Sequence, residues 1–245
     1  MSWNKKEKIK RTEDVENNLL ETETLKMSDS FNIKLRDPWS AITHLVAFFI
    51  TLGGIVPLLI KATDYGTKYF IAMLVFGITM MLLYAASATY HAITLPASII
   101  KIFRKIDHSA IFVFIAGSYT PVFLIILEPS IGIPMLIAIW AITILGIIVK
   151  FAWINCPKWF SSVIYIMMGW MCIFCMSPLI KAITTTAFAW LLVGGIIYTI
   201  GGVIYALKLP EFNARHKNFG THEIFHLFVM VGSFCHFIFM YSFVL

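Results

Sequence analysis

Charged residues are scarce in this chain of 245 residues. Lys, Arg, Asp and Glu make up 13% of it, against about 25% in soluble globular proteins, while hydrophobic residues make up 59%. This composition excludes an ordinary soluble domain, a disordered chain and a nucleic-acid-binding protein. The four cysteines lie in or beside apolar stretches and do not form the disulfide pattern of a small secreted domain.

Seven long apolar segments occupy almost all of the chain after residue 38. Each has about 20 residues or slightly more, enough to cross a hydrocarbon core about 30 Å thick at 1.5 Å per residue. The segments do not alternate in polarity as β-barrel strands do. The sequence therefore predicts an all-α membrane protein whose domain, residues 39–245, is a seven-transmembrane helix bundle. The segments are roughly 39–60, 69–91, 108–128, 131–153, 160–180, 186–207 and 221–244.

The first 38 residues differ from the rest of the chain. They hold eight basic and eight acidic residues and few apolar ones, which is typical of a hydrophilic, disordered extension. We expect residues 1–38 to form a cytoplasmic tail.

Basic residues are divided unequally between the two sets of loops. Ten Lys and Arg lie on the side of the N-terminus and three on the other side. Because cytoplasmic loops carry the excess of Lys and Arg, we expect a multi-pass protein of the plasma membrane with a cytoplasmic N-terminus and an external C-terminus.

Ionisable side chains collect at one end of the predicted bundle. His91 ends the second segment, Asp107 opens the third, and His222 and His226 open the seventh. Such groups are costly inside a membrane unless they are paired, hydrated or bound to a metal. Chain direction brings all four to the cytoplasmic end.

The spacing of the histidines indicates a metal site. His222 and His226 are four residues apart and share one helix face, and catalytic zinc sites use three protein ligands with the fourth position left open. His91, His222 and His226 provide such a set, with Asp107 placed to hydrogen-bond the water. The alternative is that they are interfacial histidines whose rings reach towards water.

The same residues carry a resemblance to a known family. The motifs occur in order as Ser87-x-x-x-His91, then Asp107 in the stretch Phe-Arg-Lys-Ile-Asp, and His222-x-x-x-His226. With Thr43-His44-Leu45, Gly117-Ser118-Tyr119-Thr120-Pro121 and His236-Phe237, the chain resembles the haemolysin III / progestin and adipoQ receptor family over residues 39–245. The short loops favour its bacterial haemolysin III branch.

This resemblance implies a seven-helix bundle with an intramembrane zinc. In the similar adiponectin receptors, three histidines at these positions bind zinc and the aspartate holds its water. The related alkaline ceramidases use a Ser/Asp/His set to hydrolyse a lipid amide. One difference lies at the entrance of the first helix. The family often has an acidic residue and an Asn before the Thr-His motif, whereas this chain has Asp37 and Ser40 there.

The leading hypothesis is a zinc-dependent hydrolase of lipid amides or esters at the cytoplasmic side of the bilayer. Its substrate would be a ceramide-like sphingolipid or another acyl lipid that enters from the membrane. Asp107 would act as general base, and Ser87 would hydrogen-bond the water or the oxyanion. The alternatives are a non-catalytic receptor or sensor with structural zinc, and a pore-forming cytolysin.

Four further residues lie in or beside these motifs. His222-Glu223-x-x-His226 matches the H-E-x-x-H pattern of zinc proteases, in which Glu223 would be the base. The alternative is that Glu223 is only a carboxylate that lies near the positive N-terminal end of a helix. His44 either orients a ligand or packs in the bundle. His236 lies about 21 Å deeper than His222 and cannot bind the same ion, and His108 is predicted to be exposed at the interface.

Overall fold

The described part of the chain is built of helices that can span a membrane. The structure, a computed structural model, describes residues 35–207, 209–216 and 219–245, so the predicted tail lies almost wholly outside the described residues. Within the described ranges, seven helices are long and apolar enough to span a bilayer, which confirms the all-α prediction. They are α1 (Pro38–Thr63), α2 (Thr67–Ala92), α3 (Ala97–Ile126), α4 (Pro129–Ala152), α5 (Lys158–Ala182), α6 (Thr185–Leu207) and α7 (Thr221–Val244).

Short connections with proline and glycine separate the helices. α1 and α4 each begin at a proline, whose fixed φ and missing N–H suit the first helical position. The turn between α1 and α2 contains Gly66 at φ 96°, a conformation that side chains disfavour. A short helix, Pro210–Arg215, lies between α6 and α7.

The third helix begins earlier than its apolar run predicts. It starts at Ala97 rather than near residue 108, because its first turns are amphipathic and carry the polar residues Lys101, Arg104 and Lys105. The prediction that Asp107 opens this helix was therefore wrong. Asp107 lies in the third turn of α3 and is buried.

The fifth helix is interrupted near its middle. It consists of an α-helix from Lys158 to Gly169, a 3-10 turn from Met171 to Cys175, and an α-helix from Met176 to Ala182. Pro178 lacks an N–H and clashes with the preceding turn, which accounts for the break. The Tyr119 hydroxyl on α3 donates to the Gly169 carbonyl and accepts from the Cys172 N–H, so groups released by the break are satisfied.

The helices pack in a closed arrangement, with apolar side chains both in the core and on the outer surface. α1 packs on α2, α2 on α3 and α3 on α4; α5 packs on α6, α6 on α7, and α7 returns to α1. Phe76, Phe112 and Phe239 are fully buried in the core. The outer surface is also apolar, with Phe174 83% exposed, as expected for a face in contact with lipid.

Candidate metal centre

Three histidines from two helices meet at one end of the bundle. His91 lies at the last turn of α2, and His222 and His226 occupy successive turns at the start of α7. Their candidate ligand nitrogens all lie within 4.8 Å of one another. His91 and His226 are buried, and His222 is partly buried. The structure thus brings together the three residues that the sequence predicts as ligands.

Asp37 determines which nitrogen of His91 faces the cluster. Its Oδ2 lies 3.0 Å from His91 Nδ1, and a carboxylate only accepts, so Nδ1 carries the proton and Nε2 keeps its lone pair. Burial raises the pKa of Asp37, but the hydrogen bonds from His91 and Arg36 outweigh it and hold the pKa below its usual value. Asp37 therefore stays ionised and orients the imidazole, as carboxylates do for metal-binding histidines.

The first turns of α1 hold His226 in the same way. Thr43 Oγ1 lies 3.2 Å from His226 Nδ1. His44 stacks on the His226 ring, with 3.7 Å between centroids and planes 9° apart. Contacts through Nδ1 leave Nε2 of His226 for the cluster.

The donor set fits a zinc ion. His91 Nε2 and His222 Nε2 lie 3.0 Å apart, close to the separation of about 3.3 Å between two nitrogens on one tetrahedral zinc at about 2.05 Å. Three neutral imidazole nitrogens that converge without a carboxylate among them match a catalytic zinc ligand set. His91, His222 and His226 are the residues that would hold the ion.

A largely apolar cavity of about 180 Å³ opens beside the histidines. His222 and His226 line this cavity together with Asp107 and Ser87. Asp107 is 7% exposed and Ser87 2% exposed, and both side chains face the cavity. Helices α3 and α7 therefore place one buried carboxylate at the same cavity as two of the three imidazoles, His222 and His226.

Close packing at Gly117 holds α3 against α2, farther from the histidine cluster than Ser87 and Asp107. A Cβ on Gly117 would lie 1.9 Å from Thr79 Oγ1 and 2.7 Å from Thr79 Cβ. Since no side chain fits there, the two helices that carry Ser87 and Asp107 approach each other at their backbones.

A second, polar pocket of about 270 Å³ is also lined by His222. Its walls include Lys158, Asn213, His216 and Glu223. His222 lines both this pocket and the apolar cavity. One imidazole of the cluster thus borders both a polar pocket and an apolar one.

Glu223 is held away from the apolar cavity. Its Oε1 accepts from Ser40 Oγ at 2.5 Å and its Oε2 accepts from the Gly220 N–H at 2.8 Å. The second bond satisfies a free donor at the start of α7. These contacts favour the helix-capping interpretation of Glu223 over a role as protease base.

His108 lies apart from the cluster and is not exposed as predicted. Its side chain is 17% exposed, Nδ1 donates to the Arg104 carbonyl at 2.6 Å, and Nε2 lies 3.4 Å from the Tyr205 hydroxyl. The extension of α3 to Ala97 places this residue inside the bundle.

Comparison with known proteins identifies related chains. Residues 33–237 match the family model described as "Haemolysin-III related". Hemolysin-3 of Bacillus cereus is 37% identical over 195 residues, 79% of this chain and 85% of that protein. The Hemolysin-3 homolog of Bacillus subtilis is 34% identical over 79% of this chain and 87% of its own length. The adiponectin receptor protein of Drosophila melanogaster is 37% identical over 51 residues, 20% of this chain and 12% of the receptor.

Proposed function

The chain belongs to the haemolysin-III related family, and on the geometry of its histidine cluster we propose that it is a zinc-dependent hydrolase of lipid amides or esters. The substrate class is a ceramide-like sphingolipid or another acyl lipid. One observation carries this proposal: three imidazole nitrogens converge, and two of these rings, His222 and His226, line the same apolar cavity as the buried carboxylate of Asp107.

Each residue around the cluster has a defined part in this proposal. A bound zinc ion supplies Lewis acidity, which polarises a carbonyl group and makes water more acidic. Asp37 and Thr43 keep protons on the Nδ1 atoms of His91 and His226, so that both rings present Nε2. His222 needs no such partner to converge on the same point, because it lies one turn before His226 on α7.

Asp107 is the proposed general base. Its carboxylate takes a proton from the attacking water and then delivers it to the leaving amine or alcohol as the bond from the acyl carbon to nitrogen or oxygen breaks. Ser87 lines the same cavity as Asp107, and its hydroxyl is the proposed donor to the attacking water or to the developing oxyanion.

The two pockets that His222 lines support separate routes for the lipid and for water. Leu83, Ile111 and Phe114 are among the apolar residues of the cavity, which suits an acyl chain. The polar pocket beside Lys158 and Asn213 suits water and a polar head group. A hydrolase of lipids needs both at the same reacting centre.

The excess of basic residues supports a location of this site at the cytoplasmic side of the plasma membrane. By sequence, the helix ends and connections on the side that holds the cluster carry ten Lys and Arg, against three on the other side. By the positive-inside rule that end faces the cytoplasm.

Release of fatty acid by the purified protein tests the proposal. The protein in proteoliposomes is incubated with an N-acyl sphingosine or with a diacyl phospholipid, and zinc content is measured in parallel. We expect about one zinc per chain, as three-ligand catalytic sites hold one ion, and release of fatty acid from one of the two lipids. Addition of a zinc chelator is expected to abolish release, and zinc is expected to restore it.

Two other outcomes identify the alternatives. Bound zinc without release from either lipid supports a receptor or sensor with structural zinc. Leakage of a dye from the same vesicles that persists in a His91→Ala, His222→Ala variant supports a pore-forming cytolysin. Either result would contradict the hydrolase.

A further inference from the structure

The apolar cavity reaches far below the histidine cluster, to His236 on α7. His236 is ten residues after His226, which corresponds to about 15 Å along the helix axis. Ser118 on α3 follows Asp107 by eleven residues, so it lies at about the same depth, and both His236 and Ser118 line the cavity. The cavity thus has a deep end about 15 Å from the proposed reacting centre.

His236 has unsatisfied hydrogen-bonding groups at this deep end. Both of its ring nitrogens are shielded from solvent and lack a hydrogen-bond partner among the described residues. A neutral imidazole carries one donor and one acceptor. Buried groups of this kind are almost always paired in folded proteins, with protein, water or ligand.

The other polar side chains at this depth already have partners. The Tyr198 hydroxyl lies 2.9 Å from Ser233 Oγ. Thr199 Oγ1 donates to the Gly195 carbonyl at 2.7 Å and accepts from Trp170 at 2.9 Å. These groups therefore do not require a ligand, whereas His236 does.

Gly194 on α6 fixes the position of the His236 ring. A Cβ at Gly194 would lie 2.6 Å from His236 Cδ2 and 2.9 Å from its Nε2. The imidazole thus lies directly against the α6 backbone, in a space that only glycine leaves open. The Tyr198 ring, with its centroid 5.4 Å away, is a further neighbour of the imidazole.

We infer that His236 forms a second ligand subsite, which binds a hydroxyl group carried in the middle of an acyl chain. The inference rests on the proposed function, which places the acyl carbonyl at the histidine cluster. An extended hydrocarbon chain rises about 1.25 Å per carbon, as its bond lengths and angles require, so a group about 15 Å away lies near carbon 12. A neutral hydroxyl suits this position because its apolar surroundings disfavour charge, and it can both donate to and accept from an imidazole.

Binding of three fatty acids to the purified protein tests the subsite. The probes are octadecanoic acid, 12-hydroxyoctadecanoic acid and 2-hydroxyoctadecanoic acid, each measured by displacement of a fluorescent fatty acid. We expect the 12-hydroxy acid to bind about ten-fold more tightly than octadecanoic acid, the effect of one well-placed hydrogen bond. The 2-hydroxy acid, whose hydroxyl lies near the carboxyl group, is expected to show no gain that depends on His236.

Two variants and a matched control locate the effect. His236→Phe keeps a ring but removes both nitrogens, and it is expected to bind octadecanoic acid as the wild type does while it loses the preference for the 12-hydroxy acid. Gly194→Ala keeps the imidazole but displaces it, and it is expected to weaken the same preference. Gly53→Ala makes the same change as Gly194→Ala at a position where a Cβ meets no atom within 4 Å, and it is expected to leave the preference intact.

The outcomes separate this inference from the proposed function. Equal affinity of wild type for octadecanoic and 12-hydroxyoctadecanoic acids would overturn the subsite, even if His236→Phe fails to fold, and so would a preference that persists in His236→Phe. Because binding requires neither zinc nor turnover, a preference that depends on His236 stands even if no lipid is hydrolysed. Hydrolysis without that preference would overturn the subsite and leave the proposed function standing.

Discussion

The contact between Asp37 and His91 leads to a prediction about zinc affinity. An amide in place of the carboxylate can still accept from Nδ1 but removes the negative charge that makes His91 a better ligand. We expect Asp37→Asn to lower zinc affinity about 10- to 100-fold, the usual effect of a change in a group that orients a ligand. Competition with a chromogenic chelator measures it, and Asp64→Asn, an exposed acidic residue at the opposite end of α1, is the control. Unchanged affinity would mean that Asp37 has no such effect.

Removal of any proposed ligand should release the metal. We expect His91→Ala, His222→Ala and His226→Ala each to lower the zinc content of the purified protein sharply, because two remaining ligands do not hold a site that needs three. His236→Ala should retain zinc, since His236 lies about 15 Å away from His226. Elemental analysis gives the readout. A zinc content below about 0.2 per chain in wild-type protein never exposed to chelator would contradict the three-ligand site.

Two carboxylates can be distinguished as proton acceptors. We expect Asp107→Asn to retain zinc and lower hydrolysis by about two to four orders of magnitude, because the amide cannot take the proton. Glu223→Gln should retain most activity, because Glu223 caps α7 through Gly220 and Ser40. Rates and zinc content are measured on the same preparations. The reverse pattern would transfer the role of base to Glu223.

The amino-acid sequence alone predicts part of this site. The i,i+4 spacing of His222 and His226 and the position of His91 at a helix end are enough to predict that the three histidines cluster. The partners on α1 are not predictable in the same way, because Asp37 and His91 are 54 residues apart and no local rule specifies their contact. The unpartnered nitrogens of His236 likewise depend on three-dimensional packing.

At the scale of the helices, hydropathy located each span but misplaced one boundary. An apolar window cannot detect the amphipathic turns of α3 between Ala97 and Asp107, because their Lys and Arg residues lower the mean hydropathy while the backbone remains helical. The break in α5 was also missed, although Pro178 was a visible signal for it.

The close contact between α2 and α3 gives a prediction at this scale. Gly117→Ala would place a methyl group 1.9 Å from Thr79 Oγ1, and Thr79 is itself fixed by a hydrogen bond to the Val75 carbonyl at 2.8 Å. We expect a loss of about 1–3 kcal/mol in stability, the typical result of overpacking, seen as a lower melting temperature in detergent. Gly53→Ala is the matched control, since a Cβ there meets no atom within 4 Å. Equal melting temperatures for the two variants would contradict the close approach.

At the scale of the whole molecule, the number of crossings and the charge of the loops together predict orientation. Seven spanning helices among the described residues predict that the two ends of the chain lie on opposite sides of the membrane. The excess of Lys and Arg beside α1 and around the α2–α3, α4–α5 and α6–α7 connections predicts that this side is cytoplasmic. The same side holds the histidine cluster, so orientation decides from which leaflet the proposed lipid substrate would enter.

Reporter fusions test that orientation. Alkaline phosphatase, which is active only outside the cytoplasm, is expected to be active when fused after Leu245 and inactive when fused before Met1; a fluorescent protein that matures only in the cytoplasm should give the opposite pattern. A fusion within the α1–α2 turn at Asp64 should report outside, because α1 crosses once from a cytoplasmic start. Both termini on one side would contradict the count of seven. Exchanged signals at all three points would show that the protein has the opposite orientation. The cluster, its polar pocket and its source of substrate would then lie at the outer leaflet.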